Sequence, residues 1–120
     1  MEGWAEQISI ATDYIAPIPE NVTDAQAATM PVAGLTALHA VDAGNCILGR
    51  KALITGATGG VGMYAIQLAA LAGALPYAQI RHLDHKSFIK KLGDFESIVT
   101  VDGETLGEYG QYRLIIDGVS

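Results

Sequence analysis

The sequence predicts an α/β protein built on an open, doubly wound parallel sheet, and two observations carry that prediction. First, a short apolar run, Ala52-Leu53-Ile54-Thr55, meets a glycine-rich turn, Gly56 to Gly62, and then an apolar, alanine-rich run ending near Gly73. Strand, glycine turn and helix in that order form the opening unit of a dinucleotide-binding sheet. Second, three more strand-like runs follow, at Pro76 to Arg81, Ser97 to Val101 and Arg113 to Asp117. A helical stretch, His85 to Leu92, separates the first two of them. The order βαβαββ is the first half of a doubly wound fold plus the strand across the crevice, with an expected strand order of 3-2-1-4.

Composition sets the outer bounds. The chain has 120 residues, half of them hydrophobic, enough for one small domain with a packed core. Its net charge of −6 argues against nucleic acid or an anionic membrane as a partner. The single cysteine, Cys46, excludes an intramolecular disulfide framework and fits a reducing, cytoplasmic setting. No apolar run reaches the ~18 residues of a membrane span, and no basic-then-apolar leader opens the chain.

Taken in order, Gly3 to Ile10 roughly alternates and reads as a strand. Tyr14 to Pro19 reads as a second extended piece, limited by Pro17 and Pro19. Trp4 and Tyr14 are expected to pack this arm. Thr23 and Gln26 match a capping box for a short helix to about Met30. Pro31 suits the first turn of another helix, running to about Asp42 with Gly44 as its stop. In the alanine-rich run, Ile66, Leu68 and Leu71 read as core. Asp84 is placed to cap the His85–Leu92 helix, and Gly93 to end it. Asp102-Gly103 starts a polar loop.

The glycine turn carries the chemistry. Aligned on Gly59 and Gly62 it reads A-x-G-x-x-G, with Ala57 in the first position and Gly56 one residue earlier. Gly59, Gly60, Val61 and Gly62 would cradle a pyrophosphate on the helix start, while Ala57 and Thr58 shape the turn. No Lys-Ser or Lys-Thr follows, so the turn is not a P-loop. The second strand ends Gln79-Ile80-Arg81-His82 without the acid that bonds the ribose of NAD at its tip. Arg81 can pair with a 2′-phosphate instead, and Lys86 could add a second charge. NADPH is therefore the expected cofactor, with NADH possible through Asp84. Arg81, His82 and Lys86 join the candidate cofactor residues, as do Asp117 and Gly118 at the carboxyl end of the fourth strand. His82 and His85 stand three apart with no further Cys or His near, which reads as a solvated loop rather than a metal site.

Four stretches carry a resemblance: GWAEQISI, IPENVTDAQAATMPVAGLTAL, LGRKALITGATGGVG and YRLIIDGVS. With AATMPVAGLTAL set at this distance before the glycines, the chain resembles the medium-chain dehydrogenase/reductase superfamily, and within it the zinc-independent quinone oxidoreductase group. The resemblance implies a two-domain enzyme, a GroES-like substrate domain followed by a Rossmann domain binding NAD(P)H. Residues 1–22 would be the end of the first domain and its linker, and 23–120 part of the second. Zinc-dependent members carry a ligand cysteine at the position of Val32, so the resemblance points to no zinc. It also places Thr36 near the nicotinamide. The implied activity is hydride transfer from NADPH to a quinone or an activated C=C or C=O bond of a small-molecule substrate, by a homodimer. No residue stands out as nucleophile or general acid, which suits a reaction whose chemistry the cofactor carries. The short chain alone is expected to be inactive and to self-associate.

Two other readings fit part of the pattern. Thr55-Gly56-Ala57-Thr58-Gly59-Gly60-Val61-Gly62 also matches short-chain dehydrogenase motifs, but a long arm precedes it and no Tyr-x-x-x-Lys follows. A non-catalytic nucleotide-sensing module would keep the fold and lack turnover.

Overall fold

The computed structural model describes residues 5–118. Four parallel strands form one sheet: β1 (Lys51–Ile54), β2 (Leu75–Ile80), β3 (Glu96–Val99) and β4 (Leu114–Ile116), in the order β3-β2-β1-β4. This is the expected 3-2-1-4 order. The helices are α1 (Asp24–Ala28), α2 (Leu35–Asp42), α3 (Gly60–Leu71) and α4 (Lys86–Leu92).

Register follows from burial. Leu53 of β1 lies level with Tyr77 of β2 and Ile115 of β4, and Ile54 lies level with Ala78 and Ile116. Side chains alternate across a strand, so the second row faces one side of the sheet and the first row the other. Ala52, Ile54, Ala78, Ile80 and Ile116 form the core with Ala37 and Val41 of α2, Ala65, Ile66 and Ala69 of α3, and Ile89 of α4. The small alanines let α3 lie close to the strands, as a parallel sheet covered by a helix requires.

Local signals explain the helix limits. Thr23 accepts from the Gln26 N–H at 3.3 Å, and the Gln26 side chain accepts from the Thr23 N–H at 2.9 Å, completing the capping box of α1. Gly73, at φ 79°, turns the chain after α3 where Leu48 leaves no room for a side chain.

Several expectations are corrected. Among the described residues of Gly3–Ile10 there is no strand, and Trp4 lies outside them. Thr12–Tyr14 is a 3-10 turn and Tyr14 is exposed rather than packed, because no described strand lies beside this arm to pair with it. The Pro31 segment starts as a π-helical turn, Met30–Gly34, before α2 continues it. Proline has no N–H to give the ladder at that point. Behind α2 the left-handed residue is Asn45 (φ 54°), not Gly44. Gly44 is buried against Ile47 and Leu114 and serves packing. Asp84 does not cap α4; it sits in a 3-10 turn, Leu83–His85, that leads into the helix. Gly93 follows α4 in an extended conformation, with the Phe95 ring where a side chain would stand. The loop at Asp102-Gly103 continues as a 3-10 helix, Glu104–Tyr109. Leu71 is exposed, since the buried stripe of α3 runs through positions 62, 65, 66 and 69.

Candidate functional site

The site sits at the carboxyl ends of β1 and β2. Gly56 leaves β1 in the left-handed region (φ 59°), which a side chain would strain. Its N–H donates to Gln79 Oε1 at 3.0 Å, and the Gln79 amide donates to the Thr100 carbonyl at 2.6 Å. The Ala57 N–H donates to the Gln79 carbonyl at 3.2 Å. One buried amide, 4% exposed, thus ties the glycine turn to β2 and to the residue after β3. The Gly59 N–H closes the turn on the Gly56 carbonyl at 2.8 Å.

Each glycine of the turn has a separate reason. A Cβ on Gly62 would stand 2.3 Å from the Gly56 carbonyl oxygen and 2.8 Å from Ala57 Cα, so α3 packs on the turn only without one. A Cβ on Gly59 would meet the Gly56 carbonyl oxygen at 3.2 Å. A Cβ on Gly60 would make an ordinary van der Waals contact with Ala33 Cβ at 3.6 Å. The first bond of α3 runs from Met63 N–H to the Gly59 carbonyl at 2.9 Å. The N–H groups of Gly60, Val61 and Gly62 precede it, as the open donors of a helix start with its positive dipole end.

Beside this turn lies a cleft of ≈ 380 Å³, lined by Gly56, Thr58, Gly59, Gln79, Ile80, Arg81, His82, His85 and Gly118. None of these residues is acidic. The His82 and His85 rings meet edge to face at 5.5 Å. His85 Nδ1 is buried and has no hydrogen-bond partner. Gly118 lines this cleft, whereas Asp117 lines a separate cavity with Leu53 and Ile115; Thr55 Oγ1 donates to Asp117 Oδ1 and accepts from the Gly118 N–H at 3.0 Å, tying the end of β1 to the end of β4.

The structure therefore gathers Thr58, Gly59, Arg81, His82 and Gly118 around one cleft. Gly60, Val61 and Gly62 stand at the helix start beside it. Ala57 is fully buried and its N–H is already used, so it shapes the turn from within. Lys86, on the first turn of α4, and Thr36, exposed on α2, do not line the cleft. The π-helical turn carrying Val32 packs against α3, and Val32 is 77% exposed. Gln79 and His85 also line the cleft, although neither is among the cofactor residues expected from the sequence. Gln79 had a signal, a lone amide inside the apolar run Leu75–Ile80; His85 had none. Among the described residues no three His, Cys, Asp or Glu side chains gather as a metal site. No described helix is long and apolar enough to cross a membrane.

A parallel sheet in 3-2-1-4 order, with a glycine turn at the carboxyl end of its first strand, is the Rossmann class of α/β fold. Comparison with known proteins narrows the class. The chain is 43% identical over 100 residues to a chloroplast envelope quinone oxidoreductase homolog of Arabidopsis thaliana, a match covering 76% of this chain and 30% of that protein. It is 31% identical over 117 residues to an acryloyl-coenzyme A reductase of Sulfurisphaera tokodaii, covering 97% of this chain and 35% of that protein. Over 82 residues it is 39% identical to a phenolphthiocerol/phthiocerol polyketide synthase subunit of Mycobacterium tuberculosis, covering 68% of this chain and 4% of that protein. The quinone oxidoreductase structure from Coxiella burnetii superimposes with a TM-score of 0.72 at 32% identity, covering 85% of this chain and 32% of that one. A cobalt- and zinc-bound alcohol dehydrogenase from Pyrobaculum aerophilum superimposes at 0.67 and 30% identity, covering 76% of this chain and 27% of that one. No protein-family model matches the chain. The chain belongs to the medium-chain dehydrogenase/reductase superfamily. It spans about a third or less of the length of these relatives.

Proposed function

We propose that the protein is an NADPH-dependent oxidoreductase that transfers hydride to a quinone or an activated C=C or C=O bond, with this chain supplying the pyrophosphate-binding half of its cofactor domain. The observation that carries the reading is the cleft between the glycine turn and the tip of β2, which holds Arg81 and no carboxylate. A dinucleotide fits this chain's residues: Gly62 admits the close approach of helix and turn, the donors of Gly60 to Gly62 are open, and His85 Nδ1 lacks a partner. The open N–H groups bind the pyrophosphate, and Arg81 offers a planar fork of donors to a 2′-phosphate. When bound, the nicotinamide supplies the hydride. The chain's own part is to hold the cofactor and fix its direction across the sheet edge.

Residues 1–22 belong in this reading to the end of a GroES-like domain, and 23–120 to the Rossmann domain. The valine at position 32 cannot ligate a metal, which supports turnover without zinc. Thr36 contacts the nicotinamide end and Lys86 adds charge near the ribose only with the cofactor in place. The working enzyme is a cytoplasmic homodimer acting on a small molecule.

The test is Arg81→Asp in the full-length protein, with kcat/KM measured for NADPH and NADH. Losing a charge-assisted bond costs about 1.5–3 kcal/mol against NADPH, roughly a tenfold to hundredfold drop. An unchanged NADPH/NADH ratio removes Arg81 from the site.

A further inference from the structure

The chain is acidic, yet three of its seven lysines and arginines converge on one cavity far from the glycine turn. Cys46, Arg50, Lys51, Gln111, Tyr112 and Arg113 line a space of ≈ 530 Å³ with no carboxylate among them. Topology forces the convergence. Arg50 and Lys51 lead into and open β1, Arg113 immediately precedes β4, and the two strands run parallel with Ala52 level with Leu114. The Arg113 N–H donates to the Lys51 carbonyl at 2.8 Å, which holds the cationic residues side by side. These are the amino ends of the strands, whereas the glycine turn lies at their carboxyl ends. β1 alone separates the two by about 13 Å.

The three cations differ in their engagement. The Lys51 ammonium donates to the Tyr109 carbonyl and stands 5.2 Å from the centre of the Tyr77 ring, which fixes it on one wall. The Arg50 and Arg113 guanidiniums have no hydrogen bond or ion pair among the described residues. The Tyr112 hydroxyl is spent on the Leu106 carbonyl at 2.9 Å, so its ring is a wall rather than a donor. Like charges brought together without a counter-charge repel, and an anion removes that repulsion. Two planar forks can each grip a pair of oxygens, and the ammonium adds a fixed third charge.

We propose that this cavity is a second anion site, binding the dianionic phosphoryl group of a small phosphorylated ligand between Arg50 and Arg113. The site is separate from the dinucleotide cleft and stands whether or not that cleft prefers NADPH.

Cys46 on the cavity wall supplies the readout. The full-length protein is treated with iodoacetamide, and alkylation of the Cys46 peptide is followed by mass spectrometry in inorganic phosphate or in chloride of matched ionic strength. Phosphate is expected to slow alkylation saturably, by about tenfold at roughly ten times its Kd, with chloride having no such effect. The double variant R50Q/R113Q is expected to lose the protection. Its cofactor titration stays that of the parent protein, showing that it folds. Equal slowing by chloride overturns the proposal, because screening alone then explains it. Protection retained in the folded double variant overturns it, because phosphate then acts elsewhere. A Cys46 that resists alkylation in both salts overturns it as well, because another part of the molecule then fills the cavity.

Discussion

Gln79 is the residue on which the geometry of the cleft turns. Its amide takes the Gly56 N–H on one side and gives to the Thr100 carbonyl on the other, while its backbone carbonyl takes the Ala57 N–H. Gln79→Leu keeps the volume and removes both side-chain bonds, leaving a donor and an acceptor without partners. The expected cost is about 2–4 kcal/mol in chemical denaturation, with cofactor affinity falling because the turn loses its anchor. Unchanged stability would mean that water takes over both bonds. The sequence showed an amide in an apolar strand but not its purpose, since its partners lie 21 and 23 residues away. The place of Arg81 on the cleft was legible because the second strand of this fold ends beside the glycine turn. His85 was not, because the buried face of a short turn depends on the helix that follows it.

At the scale of elements, the glycine turn and the capping box of α1 are the legible parts, and each can be tested by one methyl group or one hydroxyl. Gly62→Ala drives a Cβ into the Gly56 carbonyl, whereas Gly60→Ala meets only Ala33 Cβ at 3.6 Å. The first is expected to cost about 1–3 kcal/mol or more and the second little, read from denaturation midpoints of the two variants. Equal effects would show that α3 does not pack on the turn as described. Thr23→Ala removes the capping box of α1 and is expected to cost about 1 kcal/mol in the same experiment. A change within error would mean that α1 is held by tertiary contacts alone. Elements that depend on distant partners were read less well. The arm before α1 has strand-like alternation, but a strand needs a neighbour, and none lies beside its described residues. Pro31 marked a helix start correctly and hid the π-helical turn, since a wide turn leaves no pattern in residue type.

For the whole molecule, the strand order was legible because right-handed crossovers leave few ways to join βαβ units. The far face of the sheet was not. There the segment from Val101 to Tyr112 folds over Leu53 and leaves Ile115 59% exposed on β4, which has β1 on one side and no described strand on the other. An apolar edge of this kind invites pairing. The 120-residue chain alone is expected to associate in sedimentation runs; a stable monomer across a wide concentration range would contradict this.

The central claim is that the glycine turn and the tip of β2 hold the two phosphate-bearing parts of one dinucleotide. The measurement that tests it most directly is a crystal structure of the full-length protein grown with NADPH. The pyrophosphate should lie on the N–H groups of Gly60 to Gly62, with the 2′-phosphate beside Arg81. A pyrophosphate bound elsewhere, or a 2′-phosphate turned away from Arg81, would contradict the account.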